Sequence, residues 1–222
     1  RLASIDKGLL KNKKILITGA SGFLGKYFME YFNKINKNFK LNLKITALDN
    51  FRTSNKDFFK YYKNSKINCI NFDITKKLKS DTKFDYIIFL AGIASPYYYN
   101  KYPLETMNIS VQGLQNIFNL SSTKNTKVIF FSSSEIYGDP YIKEIPTKET
   151  YRGNVSTLGP RSCYDESKRM GETICYIYSK SFGRKSTIIR PFNVYGPGMN
   201  LNDYRIIPNI TKSILHNDTL KI

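Results

Sequence analysis

The sequence predicts an α/β fold, a doubly wound parallel sheet, on three observations. Short apolar runs bounded by turns alternate with longer amphipathic stretches, the rhythm of βαβ units. The short runs are continuously apolar rather than alternating, as in strands covered on both faces. With 222 residues, 41% of them hydrophobic, the chain can bury a sizeable core and hold one domain and part of another.

Residues 1–13 are polar and basic and carry no clear pattern. Lys14–Thr18 (KILIT) is the first expected strand, followed by glycines and an amphipathic helix from Phe23 to about Asn33. Leu43–Leu48, Lys66–Asn71 and Tyr86–Ala91 (YIIFLA) are the next three strands, and Leu104–Leu120 reads as a helix. Lys127–Ser132 (KVIFFS) is the fifth strand, Tyr164–Lys180 a helix, and Ser186–Arg190 the sixth strand. After Pro191 the rhythm changes: 193–203 is rich in Gly, Pro and Asn, and Ile206–His216 is helical in pattern. Leu220–Ile222 resembles the start of another strand. The expected division is a dinucleotide-binding domain over 1–192 and the beginning of a smaller, truncated substrate-binding lobe over 193–222. The first residue is Arg1, so a fragment or processed form is expected.

Composition removes several function classes. No apolar run is long enough to span a bilayer, and no membrane association is expected. The formal net charge of +18 raises nucleic-acid binding as an alternative. The lysines, however, are spread along the chain at Lys11, Lys13, Lys34, Lys60, Lys76 and onward, with no recognition motif to organise them. They read as solvated faces whose general positive field gathers anionic substrates. Cys69, Cys163 and Cys175 have no paired or metal-like spacing, which suits free thiols in a reducing, cytoplasmic compartment. The single histidine, His216, removes multi-histidine metal sites and leaves no partner for a histidine triad. No metal is expected.

Directly after the first strand stands Gly19-Ala-Ser21-Gly22-Phe23-Leu24-Gly25. A GxxGxxG pattern alone is weak, but here a strand precedes it and a helix follows. Gly19 permits the tight turn, Gly22 the approach of a pyrophosphate, and Gly25 close packing of helix on strand. The helix N-terminus offers free N–H groups and a positive dipole to phosphates. Asp49 closes the second strand, where an acid binds ribose hydroxyls and repels a 2′-phosphate. NAD is therefore favoured over NADP, with Arg52 close by to soften the preference. Asp73-Ile74 is the candidate adenine contact. Together these features predict a Rossmann-type fold.

Tyr164 and Lys168 are spaced i and i+4, on one face of one helix. A neighbouring ammonium stabilises a phenolate, so the spacing predicts a tyrosine pKa drawn down towards working pH. Such a tyrosine takes a proton from a hydroxyl while hydride leaves the same carbon. The fifth strand ends in Ser132-Ser133-Ser134-Glu135, hydroxyls at a carboxyl end where a crevice is expected, with Glu135 as a second acid–base group.

With these residues in hand, the chain resembles an extended short-chain dehydrogenase/reductase of the NAD-dependent epimerase/dehydratase family, and within it the UDP-glucuronate decarboxylases. The resemblance runs from about Lys13 onward. Its most specific stretches are Ser134–Pro140, Glu149–Asn154 and Gly159–Arg169, with Asp49–Phe51, Ala94–Pro96, Arg190–Asn193 and Tyr195–Pro197 also fitting. It implies Tyr164 as base, Lys168 as its partner, Ser133 at the active-site Ser/Thr position and Ser134–Glu135 as the decarboxylase Ser–Glu pair. It implies an NAD site formed by Gly19, Ser21, Gly22, Phe23, Leu24, Gly25, Asp49, Asn50, Phe51, Asp73, Ile74, Leu90 and Ala91, with Tyr164 and Lys168. Tyr99, Asn193 and Arg205 are implied to hold a UDP-sugar, and the helices near Val111 and Glu172 to form a homodimer. Two departures stand out: Phe89 where the family has His, and Gly198 where it has a basic substrate contact.

The resemblance leaves alternatives. Dehydratases of dTDP-glucose carry Asp before the glutamate, where this chain has Ser134, whereas GDP-mannose dehydratases share Ser–Glu. A simple 4-epimerase needs no acid at Glu135. A non-catalytic NAD-binding module would need none of Tyr164, Lys168 and Glu135 together.

Overall fold

The computed structural model describes residues 6–63, 65–120 and 125–219. Six strands, all parallel, form one sheet in the order β3-β2-β1-β4-β5-β6. They are β1 Lys14–Thr18, β2 Lys44–Asp49, β3 Ile67–Asn71, β4 Tyr86–Phe89, β5 Lys127–Phe131 and β6 Lys185–Ile189. The order reverses between β1 and β4, so the chain leaves their carboxyl ends in opposite directions and opens a crevice there. The expected α/β, Rossmann-type sheet is the observed one.

β4 stops at Phe89 and not Ala91, because Leu90 and Ala91 leave the ladder. Their N–H groups turn back onto the Thr18 carbonyl and the Thr18 hydroxyl, each at 3.2 Å. The strand expected over Leu220–Ile222 lies outside the described residues.

The helices are α1 Lys7–Leu10, α2 Phe23–Phe39, α3 Pro96–Lys101, α4 Pro103–Asn108, α5 Leu114–Leu120, α6 Ser162–Phe182 and α7 Ile206–His216. α2 outruns its expected end at Asn33. Met29, Phe32 and Ile35 continue its buried stripe, and Asn36 anchors the chain beyond by bonding both the N–H and the carbonyl of Leu43. The single helix expected from Leu104 to Leu120 instead widens into a π turn at Ile109–Gly113 between α4 and α5. There Gly113 passes so close to Ile74 that an added Cβ would stand 2.9 Å from its Cγ2.

The core forms two layers, one on each face of the sheet. Along β1, Ile15 and Ile17 point to the layer holding Met29, Phe32 and Ile35 of α2, while Leu16 points to the layer with Phe89, Leu114, Phe118 and Phe130. Each fully buried side chain of this size stabilises by about 1.5–3 kcal/mol.

Two arginines tie the long segment between β5 and α6 to the framework. Arg190 forms a two-pronged ion pair with Glu172 of α6, at 2.8 and 2.7 Å, and also bonds the Tyr137 hydroxyl and the Glu149 carbonyl. Arg169 donates to the carbonyls of Ile136 and Arg152 at 3.0 and 2.8 Å. Charge-assisted bonds of this kind are about twice as strong as neutral ones, so the turn after β5 is held in fixed relation to α6.

Candidate active site

Two adjoining cavities, of about 370 and 140 Å³, open at the carboxyl ends of the strands and share Gly19, Gly22, Leu90 and Gly92. They meet over the glycine turn. A ligand with two arms joined through phosphates fits this shape, phosphates at the turn and one arm in each cavity. Gly19 has φ 68°, and a Cβ there would stand 2.8 Å from the Ala91 backbone. No other residue type could take that turn without displacing the chain just after β4.

The smaller cavity is lined by Asp49, Asn50, Arg52, Asp73, Ile74 and Ala91. Asp49 is held as a fixed acceptor. One carboxylate oxygen takes the Phe51 N–H at 2.8 Å and the Ser54 hydroxyl at 2.9 Å; the other takes the Ser21 N–H at 3.0 Å. That second oxygen keeps a lone pair for one more donor, which suits a ribose hydroxyl. Ser21 and Phe51 line neither cavity, and they serve by orienting Asp49 through their backbone N–H groups. Arg52 is engaged with the Tyr102 ring, 5.0 Å from its centroid, and lies 3.9 Å from Glu105.

The larger cavity brings together Phe23, Leu24 and Gly25 of the glycine turn with Ser133, Ser134, Glu135, Tyr164, Lys168, Tyr99, Asn193 and Arg205. Every catalytic and substrate residue singled out from the sequence faces this one space. Lys168 is buried, donates to the Phe131 carbonyl at 2.8 Å, and lies 5.8 Å from the Tyr164 ring centroid. Burial lowers its pKa to about 8. Ser132 Oγ, also in the cavity wall, is buried without a hydrogen-bond partner. An orphaned hydroxyl and a buried ammonium with one bond, both lining the cavity, leave unspent donors for a polar ligand. These residues fit a nicotinamide dinucleotide: the smaller cavity its adenosine arm, the larger its reactive arm beside Tyr164.

One expectation is corrected. Tyr164 has its pKa raised, not lowered: burial dominates, and hydrogen bonding with Ser133 only partly offsets it. The reason is the burial of Tyr164 itself, which outweighs the pull of Ser133 and Arg205. Tyr99 stacks on Tyr164, with ring centroids 5.5 Å apart and planes at 17°, and shuts water from that side.

Arg161 also lines the cavity, and the sequence reading gave it no role. Its guanidinium forms an ion pair with Glu135 and lies 3.5 Å from Asp165. A signal was present: an arginine directly before a helix, where Ser, Thr, Asp or Asn is favoured, breaks the local rule. Arg205, by contrast, is paired with Asp203 next to it. Among the described residues no group of three or more His, Cys, Asp or Glu could hold a metal ion, and no helix is long and apolar enough to cross a membrane.

Comparison with known proteins agrees with this fold. The family model of the NAD dependent epimerase/dehydratase family matches residues 15–222. UDP-glucuronic acid decarboxylase 6 of Arabidopsis thaliana is 35% identical over 218 residues, 98% of this chain and 61% of its own length. UDP-glucuronic acid decarboxylase 1 of Xenopus tropicalis is 35% identical over 214 residues, 95% of this chain and 48% of its length. The chain thus spans about half to three fifths of the length of the curated relatives it matches. Among solved structures, a UDP-N-acetylglucosamine 4-epimerase from Methanobrevibacter ruminantium aligns with TM-score 0.76 at 25% identity, over 94% of this chain and 64% of that one. The dTDP-glucose 4,6-dehydratase DesIV from Streptomyces venezuelae aligns with TM-score 0.76 at 20% identity, over 93% and 63%, a likeness of fold.

Proposed function

This chain belongs to the NAD dependent epimerase/dehydratase family, and from that premise we propose that it is the catalytic part of an NAD-dependent lyase that converts UDP-glucuronate to UDP-xylose. The observation that carries the reading is the meeting of Tyr164, Lys168, Ser133, Ser134 and Glu135 in one cavity joined to the cavity held by Asp49. The curated relatives at 35% identity are decarboxylases, which favours this chemistry over its neighbours. Ser134 in place of an acid argues against the dehydratase subtype that protonates a leaving hydroxyl.

NAD, when bound, accepts a hydride from the sugar's C4 and later returns it. Tyr164 takes the proton from the C4 hydroxyl as C4 becomes a ketone. Lys168, beside the ring, stabilises the phenolate that results, and Ser133 holds the reacting oxygen by hydrogen bond. The ketone makes the C6 carboxylate a β-keto acid. The C5–C6 bond breaks, carbon dioxide leaves, and the electron pair stays on C5 as an enolate. Glu135, on its own or through water held with Ser134, delivers a proton to C5. Tyr164 then returns its proton to the C4 oxygen, and the proton given to C5 is replaced from solvent. Tyr99, Asn193 and Arg205 position the sugar nucleotide.

The proposed domain division places dinucleotide binding in residues 1–192, with residues 193–222 contributing to the sugar-nucleotide lobe. A homodimer built on α4–α6 is supported by exposed apolar side chains at Leu104, Met107, Met170 and Tyr176. The free thiols of Cys69, Cys163 and Cys175 fit a cytoplasmic setting. The test is mass spectrometry of products after incubation of the full-length protein with NAD and UDP-glucuronate. A UDP-pentose and carbon dioxide are expected, with turnover cut by roughly 10³-fold in Tyr164→Phe. Loss of water from a neutral hexose nucleotide, with no reaction of UDP-glucuronate, would move the assignment to a 4,6-dehydratase. Inversion at C4 alone would make it an epimerase.

A further inference from the structure

Arg161 stands where local physics disfavours it. It is the residue before α6, and its carbonyl accepts the Tyr164 and Asp165 N–H groups at 2.9 and 3.0 Å, starting the helix. A cation at a helix N-terminus opposes the macrodipole, and Arg161 provides no side-chain cap. Its guanidinium instead reaches across the cavity mouth to Glu135, on the turn after β5, and to Asp165 on α6. One side chain therefore links the helix that carries Tyr164 and Lys168 to the turn that carries Glu135.

Asp165 makes this arrangement directional. It is buried, and one of its carboxylate oxygens has no hydrogen-bond partner. Burial pushes its pKa up to about 6, with Arg161 pulling down and Glu135 and Glu166 pushing up. Tyr99, Cys163 and Tyr164 also face it. The guanidinium is thus shared between a half-exposed acid at the substrate end and a buried acid behind it.

We propose that Arg161 is a positioning residue: it fixes the Glu135 carboxylate at the substrate end of the cavity, sharing its charge with Asp165, so that proton delivery at Glu135 depends on it and proton removal by Tyr164 does not. The assignment rests on the reading of Glu135 as the acid–base group. When Asp165 gains its proton, Arg161 is left wholly to Glu135. When Asp165 ionises, it competes for the same guanidinium. The step governed by Glu135 is therefore sensitive to pH near the Asp165 transition, on top of the pH dependence of Tyr164 and Lys168.

Two variants of the full-length protein test this, Arg161→Met without the charge and Arg161→Lys with it. With NAD and UDP-glucuronate, Arg161→Met is expected to form NADH at the parent rate but to complete turnover on the order of a hundredfold more slowly. Reduced cofactor then accumulates. Arg161→Lys recovers part of the loss. Equal falls in NADH formation and turnover, or no change in either, would overturn the assignment. A second readout needs no substrate: carbon-13 titration of the Asp165 carboxyl, assigned with Asp165→Asn. Its midpoint is expected to rise in Arg161→Met and to stay near the parent value in Arg161→Lys. An unmoved midpoint in Arg161→Met would show that the charge is not shared and would overturn the proposal. If the parent protein itself leaves UDP-glucuronate untouched, the decarboxylase reading fails, and the titration alone decides the role of Arg161.

Discussion

Lys168 is buried at 5% exposure with one hydrogen bond, to the Phe131 carbonyl, and that placement sets a cost the fold must bear. In the folded chain it releases its proton near pH 8, against 10.5 when unperturbed. Below about 8 both folded and unfolded chains hold the proton, and the full cost of burying the charge is present. Between 8 and 10.5 the unfolded chain binds more protons, so the folded state gains stability as pH rises. Lys168→Met removes the charge. Its melting temperature is expected to exceed the parent's most below pH 8 and to converge on it towards 10.5. Activity should be lost throughout. Melting curves at several pH values check this, and a gap that widens with pH would refute it. The pairing of Tyr164 with Lys168 was legible because i, i+4 spacing is geometric. Their protonation was not, because burial belongs to the tertiary structure. The role of Arg161 is hidden for a related reason: its partners, Glu135 and Asp165, meet it only when the β5 turn and α6 are side by side.

At the scale of elements, α6 carries Tyr164 and Lys168, and its seat on the sheet is set by Gly171. A Cβ added there would meet the fully buried Phe130 ring, with Cε1 at 2.8 Å. Gly171→Ala is expected to cost about 1–3 kcal/mol of stability by overpacking and to lower kcat by moving the proposed catalytic pair, Tyr164 and Lys168. Gly183, at the end of α6, supplies the contrast. Space around it is open, but its φ is +61°. Gly183→Ala is therefore expected to cost about 1 kcal/mol of stability and to leave kcat unchanged. Denaturant unfolding and turnover, measured on both, separate the cases; equal loss of kcat would mean that helix placement is not what matters. The strands were legible because continuous apolar runs between turns have few other readings. The last turns of α2 were hidden by the lysines and asparagines around Ile35, whose burial shows only once the sheet is beneath it. The π turn at Ile109–Gly113 had no sequence signal, since it answers to the approach of Ile74 from the loop after β3.

The whole molecule carries a formal charge of +18, and its cavities lie at one end of the sheet. Few of those charges are committed to local pairs there: Arg52, Arg161 and Arg205 are matched by Glu105, Glu135 and Asp203, and Lys168 is buried. The excess is a long-range field and contributes little to the fold. Such a field acts on encounter, raising the arrival rate of anions, and it is screened over about 8 Å at physiological ionic strength. A sugar nucleotide with a diphosphate and a carboxylate is drawn in strongly; an uncharged sugar is not. Raising ionic strength from roughly 0.01 to 0.15 M, over which the screening length shrinks from about 30 to 8 Å, is therefore expected to lower kcat/KM for UDP-glucuronate severalfold. The rate of the bound complex, kcat, should hardly change, because Tyr164 and Lys168 are buried. A kcat/KM indifferent to salt would mean that the lysines are balanced around the cavity mouth and that the charge serves only solubility. A parallel fall in kcat would place the effect on the Glu135–Arg161–Asp165 group, whose arginine is half exposed.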